Sequence, residues 1–248
     1  MRTWIAGCFF LILLFCSVLV PPVWLLQNSV SVERWDAFRG QEWVEVGPAK
    51  NQWLPLKEAS RHALWAVVVA EDARFYQHQG LDWREIWESF QLNWSEGRIV
   101  RGGSTITQQV VKLALVGREK SFLRKIREAI GAILTEKILT KDEILAWYIN
   151  LVDFGSGIYG LGSAAHHYFK TPAMFLTVSQ AVNLAVVLPS PNRRSKGLRE
   201  RALSSNGKQR FVRVLDELVA NRYITVAQRN EALRTGDFGN PIHMVEGS

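Results

Sequence analysis

The stretch VVVAEDARFYQHQGLDW, Val67 to Trp83, sets an unbroken apolar run directly against two carboxylates. Together with the residues before it, KEASRHALWAVVVAED (Lys57–Asp72) reads as a helix that becomes fully apolar toward its end, so that end is expected to be buried. A carboxylate there loses hydration and its pKa rises, which makes Glu71 a candidate general base near neutral pH. The plainer alternative is a C-terminal turn whose acids, Glu71 and Asp72, pair with Arg74 or His78. Helical spacing recurs downstream: SFLRKIREAIGAILTEKIL carries Leu123, Ile126, Ile130, Ile133 and Leu134 at that period. TKDE at Thr140 is a capping box, and TVSQ at Thr177 and TVAQ at Thr225 repeat the signal. Hairpin signals are nearly absent. The pattern predicts a mainly α domain of about eight to ten helices.

The 248 residues suffice for one such domain plus an anchor. WIAGCFFLILLFCSVLVPPVWLL, Trp4 to Leu26, has no charged residue and is long enough to span a bilayer as a helix. A cleaved signal peptide competes with this reading, but its apolar core would be shorter and end at a small-residue cleavage site. Residues 1–27 are therefore expected as a transmembrane anchor, 28–55 as a membrane-proximal connector with short extended pieces (EWVEVGP, Glu42–Pro48), and 56–248 as the catalytic domain. Cys8 and Cys16 both lie in the apolar run, so nothing downstream can form a disulfide, a zinc site or a thiol nucleophile. The net charge is +7, and all but one of the 30 Lys and Arg lie from Glu33 on, which suits an anionic partner.

RGGSTITQQVVKL, Arg101 to Leu113, concentrates glycines, hydroxyls, two glutamines and a lysine. Ser104 or Thr105 can cap the helix that follows, and free N–H groups at such a start make an anion site. Gln108 and Lys112 are spaced to share one face. An ordinary capped helix explains Ser104 but not the density of donors, and the order required of a P-loop is missing. In RKIREAIGAIL, Arg124 and Lys125 lie one turn before Glu128. Two readings stay open for Glu128: a surface ion pair, or, because Ile126 and Ile130 mark the core side nearby, a place on a cleft wall. DWREIWESFQLNW aligns Trp83, Trp87, Phe90 and Trp94 on one helical face, suited to core packing or to bilayer headgroups.

The ordered segments EDARFYQHQGLD, GGSTITQQVVKL, RKIREAI, TKDEILAWYIN and AAHHYFKTPAMFLTVSQAVNLAVVLPSPN resemble the peptidoglycan glycosyltransferases of family 51, over roughly Leu56 to Asn192. The resemblance implies a mainly α, lysozyme-like domain outside the cytoplasmic membrane, held by one N-terminal transmembrane helix, and no transpeptidase. It implies polymerisation of lipid II into β-1,4-linked glycan with release of undecaprenyl diphosphate. By that pattern Glu71 is the base that activates the acceptor 4-hydroxyl, and Glu128 is a second acid near the departing pyrophosphate. Asp72, Ser104, Thr105, Gln108, Gln109, Lys112, Arg124 and Lys125 match positions around the substrate. A divalent cation (Mg or Mn) is expected of the family, although no metal-ligand spacing in the sequence points to one. The implied partners are lipid II, the growing glycan strand, the membrane and other cell-wall synthesis proteins; no motif supports nucleic acid.

The chain departs from the family pattern at two places. Lys170 stands one position before the family's lysine, where Thr171 sits, and Gln180 replaces a glutamate that a glutamine can match in a capping box. The Ser205–Lys208 and Arg234–Gly236 segments mimic penicillin-binding signatures but are too close together to belong to a transpeptidase. A lytic enzyme and a non-catalytic wall-assembly scaffold are the alternative readings.

Overall fold

The computed structural model describes residues 19–36, 40–98, 102–117 and 121–236. The charge-free run expected to cross the membrane falls mostly on residues 1–18 and, like Arg101, lies outside the described residues. Among the described residues no helix is long and apolar enough to span a membrane.

The fold is mainly helical, with ten α-helices among the described residues: α1 (Arg61–Glu71), α2 (Trp83–Ser95), α3 (Ile106–Val111), α4 (Phe122–Ile138), α5 (Lys141–Leu151), α6 (Leu161–Phe169), α7 (Val178–Val187), α8 (Pro191–Glu200), α9 (Ser205–Ala220) and α10 (Val226–Thr235). The capping signals fall where the sequence puts them: Thr140, Thr177 and Thr225 each accept from the N3 backbone, and Gln180 completes its box as a glutamate would. Lys170 adopts the left-handed conformation that ends α6, with φ of 54°. The penicillin-binding mimics are helix ends, at the start of α9 and the close of α10.

The centre of the domain is the packing of α1 on α7, with α9 laid across both. Every residue of α7 except Gln180 is buried, as expected for a helix walled in on all sides. α5 is buried from Ile144 to Leu151. α3 packs between α4 and α5, which brings the start of α3 beside the end of α1.

One antiparallel hairpin is present where the sequence shows only extended pieces: β1 (Val30–Asp36) pairs with β2 (Gly40–Val46), Val30 opposite Val46. It belongs to the same core. Val30, Val32 and Val46 are buried with the helices, the Trp147 indole donates to the Leu26 carbonyl (2.8 Å), and Asn150 exchanges two hydrogen bonds with the Leu54 backbone. Residues 28–55, expected as a connector, are thus stitched onto α5.

Candidate active site

A cleft of about 810 Å³ opens between the loop after α1, the start of α3, the start of α8 and the middle of α9. Glu71, the last residue of α1, lines it. The apolar run Val67–Val69 buries this end of the helix as predicted, and the Glu71 side chain is 9% exposed. Gln109 Nε2 donates to Glu71 Oε2 (3.0 Å), while Oε1 is buried with no hydrogen-bond donor among the described residues. Burial pushes the Glu71 carboxyl above its usual range; the Gln109 hydrogen bond and the Arg210, Lys112 and Arg194 charges oppose that rise without cancelling it. Neither Arg74 nor His78 pairs with Glu71, so the plain turn reading fails for this residue and holds for its neighbour.

Asp72 is that neighbour. His78 Nε2 lies against both Asp72 oxygens (3.0 and 3.1 Å), and Oδ2 accepts from the backbone N–H of Ile106, the first residue of α3 (2.9 Å). This alters the expected anion cradle. The sequence predicts free N–H groups at this helix start, but the start is buried against the end of α1, and a carboxylate of the same chain fills it. Thr105, not Ser104, is the N-cap: its hydroxyl accepts from Gln108 N and donates to the Gly80 carbonyl (2.6 Å). Gln108 is buried and its side-chain Oε1 accepts from the Thr105 N–H (3.0 Å), so it closes the capping box and does not line the cleft. Gly80 makes this junction possible; at φ of +87° a Cβ would stand 2.8 Å from the backbone of Ala132 in α4.

The basic predictions gather in a second cluster. The helix of α3 widens at Lys112–Val116 into a π-turn, a feature often found at functional sites. Lys112 is half-buried there, between the two glutamates. Burial pulls its ammonium below the usual lysine range; Glu128 and Glu71 counter this, and Arg124 and Lys125 add to it. Glu128 is 2% exposed and ion-paired with Arg124 and with Lys125 Nζ (2.9 Å), and Lys125 also donates to Ser104 Oγ (2.9 Å). The surface reading of this pair is therefore wrong, and so is the core face assumed for α4. The buried stripe runs through Glu128, Gly131, Ala132 and Thr135, and Ile126 and Ile130 are only partly covered.

Sequence reasoning missed three cations of the cleft. Arg194, Arg210 and Arg213 line it. Arg210 Nη2 lies 3.5 Å from Glu71 Oε1 and donates to the Ala70 carbonyl (2.9 Å). The signal available was the basic density of α8 and α9; nothing local ties those helices to Glu71.

The fit of a divalent cation depends on available oxygen ligands. Among the described residues one group, Asp72, His78 and Asp82, brings its ligand atoms within 4.8 Å of one another. Asp72 is held as described, and Asp82 accepts a bidentate pair from Arg74 (2.8 and 2.5 Å) and caps α2 through Glu85 N. Burial raises the Asp82 carboxyl, and the Glu85 N–H and Arg74 more than reverse this, so it stays below its usual range. These oxygens already have protein donors, and Glu128 has two cations. The residues do not form a ready cation site.

The aromatic face of α2 is not core: Trp83, Trp87, Phe90 and Trp94 are all more than half exposed.

Residues 39–219 match the Transglycosylase family model. A biosynthetic peptidoglycan transglycosylase of Methylobacillus flagellatus is 36% identical over 170 residues, which cover 66% of this chain and 74% of that protein. Proteins of the same name are 39% identical in Paraburkholderia xenovorans (68% of this chain, 71% of that protein) and 40% identical in Dechloromonas aromatica (62% and 69%).

Proposed function

The chain belongs to the transglycosylase family and is a peptidoglycan glycosyltransferase, and on that premise we propose that it polymerises lipid II with Glu71 as general base. The observation that carries the proposal is a buried glutamate with one oxygen lacking a donor, opening on a cleft that Arg194, Arg210 and Arg213 also line. In the proposed step the acceptor sugar presents its 4-hydroxyl to Glu71, which takes the proton as the oxygen attacks C1 of the donor. The O4–C1 bond forms, the bond from C1 to the phosphate oxygen breaks, and undecaprenyl diphosphate leaves with the electron pair. The charge that develops on the diphosphate needs fixed cations, and Lys112, Arg124 and Lys125, with the Ser104 hydroxyl, are our candidates. Glu128 is assigned to holding Arg124 and Lys125 in place, and Asp72, Thr105 and Gln108 to fixing α3 so that Gln109 meets Glu71. No step runs through a divalent cation, because the Asp72–His78–Asp82 group and Glu128 are already held by protein donors.

The exposed rings of α2 fit a location at the bilayer that carries the substrate, and with the apolar N-terminal run they support attachment to the cytoplasmic membrane, outer side. The test is product analysis after lipid II is added to purified protein. Muramidase-sensitive strands and released undecaprenyl diphosphate are expected. Fragments released from finished peptidoglycan would mark a lytic enzyme instead, and no covalent change a scaffold.

A further inference from the structure

We infer that Arg210 is a positioning residue for the reaction: it fixes the end of α1 and holds Glu71 in the ionised form that accepts the proton. The inference rests on the reading of Glu71 as base.

Two contacts of one side chain carry it. Arg210 stands on α9, far along the chain from α1, yet its Nη2 donates to the carbonyl of Ala70, the residue before Glu71 (2.9 Å). The same nitrogen lies 3.5 Å from Glu71 Oε1. The first contact locks the last turn of α1, where a helix leaves carbonyls without partners. The second places a positive charge beside the oxygen that Gln109 leaves alone. The pairing is loose in a particular way: Glu71 Oε1 and Arg210 Nε are both buried, and neither has a hydrogen-bond partner among the described residues. A tight bidentate pair would tie up both carboxylate oxygens and make a poor base. A charge at 3.5 Å favours the carboxylate while leaving Oε1 available to a hydroxyl.

The other groups facing Glu71 do not substitute for it. From α3, Gln109 is neutral. From α5, the Tyr148 phenol is fully buried and stays protonated, because burial, and next the Glu71 charge, raise it far above its usual value. Asp72, the adjacent acid, is engaged by His78 and Ile106 N. Lys112 and Arg194 act on Glu71 by charge, but among the described residues neither forms an ion pair with it. Arg213 and Glu217, also on α9, bear on Arg210 with opposite signs.

The test is the pH–rate profile of lipid II polymerisation for wild type, Arg210→Gln, Arg210→Lys and Glu71→Gln, with the melting temperature of each. Glutamine keeps a donor for the Ala70 carbonyl and removes the charge; lysine keeps the charge. An opposite charge at this range lowers a carboxyl pKa by about one unit or more. The acid limb should therefore move up by at least about one pH unit in Arg210→Gln and return toward wild type in Arg210→Lys. An unmoved limb in Arg210→Gln, with Glu71→Gln inactive, overturns this inference and leaves the base intact. Should Arg210→Gln not fold, the lysine variant decides: a limb displaced as far as one unit despite the retained charge overturns it. Activity in Glu71→Gln overturns the base, and this inference with it.

Discussion

Glu71 and Glu128 are both buried glutamates on helices beside the cleft, and they are held in opposite ways. Glu128 meets two cations, Arg124 and Lys125, and both of its oxygens are engaged. Glu71 receives one hydrogen bond from a neutral amide and keeps its second oxygen without a donor, with Arg210 at a distance that attracts but does not bind. The contrast separates two uses of a buried acid. A carboxylate held by cations on both oxygens organises basic groups around it. A desolvated carboxylate with an open oxygen is poised to take a proton. Sequence alone gives both residues the same letter, and only their surroundings assign the roles.

Replacement of each glutamate by glutamine sharpens the contrast. The largest effect is expected for Glu71→Gln, a fall in polymerisation rate of about 10²–10⁴-fold, the usual contribution of a general base, with the fold intact by circular dichroism. Glu128→Gln should lower turnover by less, about 10–10²-fold, because it loosens Arg124 and Lys125 and removes no reacting group. It should also destabilise the protein by about 1–2 kcal/mol, a fully buried pair's cost reduced by the partial exposure of both cations. A Glu128 variant that lost activity without any stability would break the comparison. Lys112→Ala should raise the KM for lipid II by about tenfold, the scale of one charge-assisted hydrogen bond to a phosphate, with little change in melting temperature. A lower melting temperature at unchanged KM would make Lys112 structural.

The smallest effect concerns stability and pH. The folded-state pKa of Glu71 is raised, so over the range between the ordinary glutamate value and that raised value the folded protein holds a proton the unfolded chain has released. Stability from this group is present in acid and is lost as pH rises through that window. At neutral pH the buried charge is a net cost that Glu71→Gln removes. The variant should melt above wild type at neutral pH, and the gap should close below about pH 4. A gap that widened in acid would mean that the carboxylate is stabilised by its site.

What was legible in the sequence was local. The three threonine caps and the covered end of α1 depend on residues within a few positions of one another, and they fell as read. The burial of Glu71 was legible for the same reason. Where partners are distant the reading changed. Asp72 and Ile106 N are 34 residues apart, and their bond turns an expected external anion site into an internal joint. Arg210 and Ala70 are 140 apart, and no pattern in α9 announces the contact. The hairpin escaped because the sequence between its strands carries no strong turn signal, and the α5 side chains bond the backbone on either side of it, at Leu26 and Leu54. The burial of Glu128 escaped because a charged residue on the buried stripe of a helix inverts the rule by which such stripes are recognised.

The central claim is that Glu71 is the carboxylate that titrates with catalysis. Protein labelled with ¹³C at its glutamate carboxyls, with the Glu71 resonance identified by its absence in Glu71→Gln, allows that group to be titrated by NMR while the polymerisation rate is followed over the same pH range. The account predicts a Glu71 midpoint above the ordinary glutamate value of about 4.3, coinciding with the acid limb of the rate. A Glu71 midpoint at or below that value, or an acid limb that does not follow it, would contradict the account.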